Sequence, residues 1–159
     1  MRSITLCLVL LALGGLCNHL LAQDYKVAVG IRFSTADPTI SNAVSIKYFM
    51  DETNALEGLV SFGNRFGLGG LYERHQLIGG TPAFTWFWGL GGYVGWQNSQ
   101  TFLGPMGAIG LDYKFQNAPV NLSIDWKPEL DFVPKINFVP DAFGVTVRYT
   151  FAPSKAAAQ

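Results

Sequence analysis

From Tyr25 to Phe151 the chain falls into eight runs in which large apolar residues alternate with small or polar ones. The last run is the cleanest. Phe143, Val145, Val147, Tyr149 and Phe151 take every odd position, and Gly144, Thr146, Arg148 and Thr150 take the even ones. A spacing of two puts such sets on opposite faces of a β-strand. The other seven runs read as strands over about 25–33, 42–50, 54–63, 66–76, 83–97, 106–116 and 119–127. In the first, Val27, Val29, Ile31 and Phe33 oppose Lys26, Ala28, Gly30 and Arg32. In the seventh, Val120, Leu122, Ile124 and Trp126 oppose Asn121, Ser123, Asp125 and Lys127. The third and fourth alternate less regularly. Strands of this length suit a tilted path across a bilayer.

The joins between runs supply a second pattern. With a periplasmic N-terminus, even-numbered joins should be tight turns and odd-numbered ones longer outer loops. The even joins Asp51-Glu52-Thr53, Gly79-Gly80-Thr81-Pro82 and Gln116-Asn117-Ala118 are short and rich in turn formers. Ser34 to Ser41, Asn98 to Pro105 and Pro128 to Asp141 are expected as outer loops, whereas Gly63-Asn64-Arg65 is short and departs from the rule. The stretch 128–141 holds three prolines together with Phe132, Val133, Ile136, Phe138 and Val139. It is expected to cap the barrel mouth or to present a surface to a partner.

The charges decide which face is which. Lys26, Arg32, Lys47, Glu57, Glu73, Asp112, Lys114, Asp125, Lys127 and Arg148 all lie on the polar faces, six positive and four negative. An Arg or Lys on a lipid face near the midplane costs about 2–4 kcal/mol, so the aromatic faces are assigned to lipid and the charged ones to the lumen. Eight strands leave an interior just wide enough for side chains. Near-balanced charges there should pair and close it, giving a filled lumen in place of a diffusion pore. Tyr25, Phe84, Tyr113, Phe115, Tyr149 and Phe151 are expected as a periplasmic-side aromatic girdle, and Phe33, Trp96 and Trp126 as an outer one.

The N-terminus changes the setting. Met1-Arg2 precedes an apolar stretch from Ile4 to Leu16, and Leu20-Leu21-Ala22 ends in a small residue. Residues 1–22 therefore read as a signal peptide cleaved after Ala22, with an uncleaved anchor or a lipoprotein site at Cys17 as the alternatives. Residues 23–151 are then the barrel, and 152–159 a short disordered tail. Both cysteines, Cys7 and Cys17, fall inside the signal, which removes disulfide and thiol chemistry from the mature chain. Of 11 basic and 11 acidic residues only Arg2 leaves with it, so no basic footprint for nucleic acid remains.

Little catalytic chemistry is legible. His75 shares a strand face with Glu73 and could be imagined in a hydrolase triad with Ser45, Ser61 or Ser123, but no spacing motif supports it. It is expected near a periplasmic turn. One histidine does not make a zinc site, and no cofactor motif is present. Gly89, Gly91 and Gly95 face the lumen, where they would leave room for bulky neighbours such as Phe87 and Tyr93 or for an acyl chain.

The closing run Val145-Thr146-Val147-Arg148-Tyr149-Thr150-Phe151 resembles the C-terminal strand of the small eight-stranded outer-membrane barrels of the OmpA/OmpX type. In that group the last strand is an assembly signal read by the outer-membrane insertion machinery; here Val147, Tyr149 and Phe151 would form it. In the usual pattern the aromatic is the final residue, whereas Ala152 to Gln159 follow it here. The resemblance implies an all-β, antiparallel, up-and-down transmembrane barrel in the outer membrane of a Gram-negative cell, with lipid and the insertion machinery as partners. The expected role is non-enzymatic, structural or surface-interacting through the outer loops. A lipid-modifying barrel enzyme and a secreted lipocalin-like carrier are the alternatives.

Overall fold

A computed structural model of the chain describes residues 25–35 and 38–151. The expected signal peptide and the C-terminal tail lie outside the described residues. Ten strands follow one another: β1 (Val27–Ser34), β2 (Ala43–Phe49), β3 (Asn54–Phe62), β4 (Phe66–Ile78), β5 (Thr81–Gln97), β6 (Gln100–Lys114), β7 (Val120–Trp126), β8 (Glu129–Asp131), β9 (Asn137–Val139) and β10 (Phe143–Phe151). β1 to β7 pair antiparallel in chain order, and β10 pairs with both β7 and β1, closing an eight-stranded barrel. β8 joins the free edge of β6 beyond β7, and β9 folds back on β8. The described residues contain no helix.

Register fixes the shape. From Tyr113 on β6 the pairing leads through Leu122, Val147, Ile31, Val44, Val60, Leu68 and Val94 and returns to β6 at Leu103. Tyr113 and Leu103 are ten residues apart on one strand, a stagger that tilts the eight strands by about 35–45°. Every side chain on this spiral is apolar and outward. Arg32, Lys47, Glu57, Glu73 and Arg148, on the alternate positions, are fully buried in the interior. The barrel is thus polar inside and apolar outside.

Several expectations change at the strand ends. The stretch Asn98 to Pro105 is not a loop. Asn98 and Ser99 make a two-residue turn with positive φ of 48° and 64°, the conformation that matches strand twist in tight hairpins. β6 therefore starts at Gln100, with Phe102 turned inward and Leu103 outward. At the opposite end Gly79 and Gly80, at φ 65° and 71°, suffice for the turn, so Thr81 and Pro82 belong to β5. The expected alternation of long and short joins therefore fails on one side: two of the four joins at that end are tight.

The stretch 128–141 is structured as the β8–β9 hairpin. We call the end bearing residues 38–42 and 127–142 the plugged end, and the other the turn end. Alternation also slips at the start of the chain. Tyr25 is buried against Phe49, their ring centroids 5.3 Å apart, and is no part of a girdle. Lys26 turns outward, its ammonium 5.7 Å from the Tyr48 ring.

Candidate functional site

The lumen gathers eight of the ten expected charges into one chain of contacts. Arg32, on β1, donates to Asp125 at 2.7 Å. Lys127 bridges Asp125 at 2.9 Å and Glu57 at 3.2 Å. Glu57 also receives Arg148 and the hydroxyl of Ser45, the latter at 2.6 Å. Arg148 passes to Ser123, and Ser123 donates to Asp112. Lys47 then lies 3.2 Å from Asp112 and 2.8 Å from Glu73, and His75 ends the line 3.1 Å from Glu73. Four cations face four anions on these contacts, with no charge side exposed by more than 1%. A buried ion is tolerable only when paired and hydrogen-bonded, and here most ions meet two partners.

Two expected members stay outside. Lys26 is exposed, because the chain before β1 has left the strand conformation. Lys114 sits at the turn-end mouth, donating to the carbonyls of Phe115 and Ala118 at 2.6 and 2.8 Å. It lines an open vestibule of about 320 Å³ with Tyr25, Gln116, Asn117, Pro119 and Thr150.

His75 lies at the turn end, as expected, its backbone N–H donating to the Thr53 carbonyl at 2.6 Å, and its side chain is fully buried. Its ring lies between Phe49 and Phe87, with centroids at 4.9 and 5.0 Å. Its nitrogens face Glu73 and Asp112, while Ser123 is engaged with Asp112 and Arg148. A triad needs the histidine on the serine hydroxyl; this cluster is wired differently.

The plugged end is a second polar assembly, one the sequence reading did not find. Glu129 accepts the backbone N–H groups of Thr39 and Ile40, both at 2.7 Å. Arg32 donates to the carbonyls of Ile40, Ser41 and Ala142, each at 3.2 Å. The first connecting loop is thereby drawn into the barrel, and Ile40 packs with Leu59, Leu71, Phe87, Tyr93 and Met106. Asp131 accepts the Tyr93 hydroxyl at 2.7 Å and the Asn137 amide at 3.2 Å.

A sequence signal for this was present. Asn121, Ser123, Asp125, Lys127, Glu129 and Asp131 keep one parity and are all buried. The inward-polar period runs straight through Pro128, where a loop was expected to begin.

The glycines of β5 have a concrete use. A side chain on Gly95 would strike Thr39 of the inserted loop, and one on Gly89 would meet the Tyr72 carbonyl at 2.7 Å and Glu73 at 3.1 Å. Their space is already filled, partly by neighbours, as expected, and partly by a loop that was not foreseen. Val147, Tyr149 and Phe151 are exposed on the outer face of β10, which closes the barrel against β1.

No model of a known protein family matches the chain, and no curated protein matches it either. What the structure shows is a closed eight-stranded antiparallel barrel.

Proposed function

We propose that the chain is a non-enzymatic barrel of a Gram-negative outer membrane, closed by its own side chains and serving a structural or surface-interacting role through its plugged end. The observation that carries this reading is the inverted distribution of polarity. The outer wall exposes Ile31, Phe33, Leu68, Trp88, Leu90, Ile109, Ile124, Val147 and Tyr149 among many large apolar residues, while the ions are sealed inside. Soluble proteins rarely expose apolar patches beyond a few hundred Å², and a soluble carrier barrel would turn its apolar face inward.

The edge of the apolar band supports the same reading. Arg74 is exposed on the outer face of β4, directly beside Asn54, whose amide oxygen accepts the Tyr72 hydroxyl at 2.8 Å. Near an interface an outward Arg costs about 0–1 kcal/mol, against about 2–4 at the midplane. Tyr48, Tyr72 and Tyr149 with Phe151 suit an interfacial girdle. In this reading lipid is the main partner, and the exposed row Val147, Tyr149 and Phe151 is what the insertion machinery reads.

Refolding the purified full chain into lipid vesicles tests the proposal. The expected result is β-structure that resists alkaline extraction, with no leakage of an entrapped dye. A protein that folds in plain buffer and washes off the vesicles would contradict it.

A further inference from the structure

We infer that the outward face of the β8–β9 hairpin is a membrane-contacting foot, seated in the headgroup and upper acyl region of the leaflet beside it. The inference rests on the membrane reading above and adds a specific contact to it. The hairpin has two unlike faces. Inward, Glu129 and Asp131 are buried and hold the plug. Outward, Phe132, Val133 and Phe138 are 55%, 42% and 58% exposed, and Ile136 at the tip reaches 79%. A loop meant to stand in water has no physical reason to show four large apolar side chains within seven residues.

Continuity with the barrel wall selects the occupant. β8 extends the sheet along the same edge of β6 that β7 occupies lower down, through Met106 opposite Glu129. Leu103, the last residue of the apolar spiral, bridges Val133, and Leu130 pairs with Phe138. The hairpin is therefore a taller part of one wall, and lipid that reaches Leu103 must touch it. Lys135, exposed between Pro134 and Ile136, can lay its stem along apolar surface and raise its ammonium to a lipid phosphate.

The test uses site-specific fluorescence in the full chain with Cys7 and Cys17 changed to Ser. A polarity-sensitive probe is placed at Ile136→Cys or Phe138→Cys, with Val147→Cys as a reference on the barrel wall. Both hairpin positions are exposed, so folding should survive, and an unchanged heat-dependent gel shift checks that it does. In phosphatidylcholine–phosphatidylglycerol vesicles, nitroxide-labelled lipid should abolish most emission from the hairpin probes, and aqueous iodide little of it. Iodide quenching without lipid quenching, while Val147→Cys is still quenched by lipid, would put the hairpin in water and overturn the inference alone. Shielding from both quenchers with energy transfer between molecules would assign the face to a second copy and overturn it equally. If the Val147→Cys probe also escapes the lipid quencher, the membrane reading fails and takes the foot with it.

Discussion

At the residue scale, the lumen works by pairing. Replacing Glu57 by Gln leaves Lys127 and Arg148 short of a buried counter-charge. Breaking a buried pair from one side costs about 3–5 kcal/mol, so the urea midpoint in detergent should fall sharply. Replacing Arg148 by Met strands Glu57 in turn, and the double variant should recover part of the loss. Full additivity of the two would argue against the pairing.

Gly144 gives a smaller test. A Cβ there would lie 2.6 Å from the Arg32 guanidinium carbon, and that group is pinned by Asp125 and three carbonyls. Gly144→Ala should cost about 1–3 kcal/mol through overpacking, measured in the same titration.

At the turn end Asp51 accepts the Asn54 side-chain amide at 2.7 Å and the N–H groups of Thr53 and Asn54, each at 2.8 Å, and the Asn54 amide first, with the backbone donors, holds its carboxyl down at about 2. A depressed carboxyl stabilises the fold above its ordinary value near 4 and loses that contribution as pH falls towards 2. Asp51→Asn should flatten the stability profile across that window; an unchanged profile would deny the turn any role.

At the element scale, the period of two was enough to place six of the eight wall strands to within two residues and a seventh, β10, to the residue, because one face of each is buried; β6 alone starts six residues early. It failed where a different force set the boundary. Asn98 and Ser99 turn the chain straight into β6 by adopting positive φ, so β6 begins at Gln100 and not near 106, a boundary that alternation does not encode. Tyr25 is pulled inside by Phe49 against its parity. The opposite error occurred at Pro128, where a residue that usually signals a loop interrupted the reading of a period that in fact continues to Asp131.

The loop clamp is the element with the most to lose. Glu129→Ala should release Thr39 and Ile40, seen as faster amide exchange at those residues once corrected for intrinsic rates, while Glu129→Gln keeps one of the two acceptor oxygens and should restore only part of the protection.

At the scale of the whole molecule, a closed barrel with eight sealed ions and one inserted loop has one mechanical consequence. Its interior offers fixed, mutually neutralising charge in place of a water column, so steady conductance across a planar bilayer should be absent. How much of this was legible follows from the physics. Charge parity along single strands gave the inside and outside, but pairing among Arg32, Asp125, Lys127, Glu57 and Arg148 depends on register around the circumference, which no single strand contains. The buried role of His75 was hidden for the same reason.

The central claim is that polarity is inverted because lipid surrounds the wall. Gel mobility of the outer-membrane fraction tests it most directly, comparing unheated and boiled samples of the full chain. The account predicts a heat-dependent shift confined to the membrane pellet. Recovery of the folded chain in the soluble fraction, without such a shift, would contradict it.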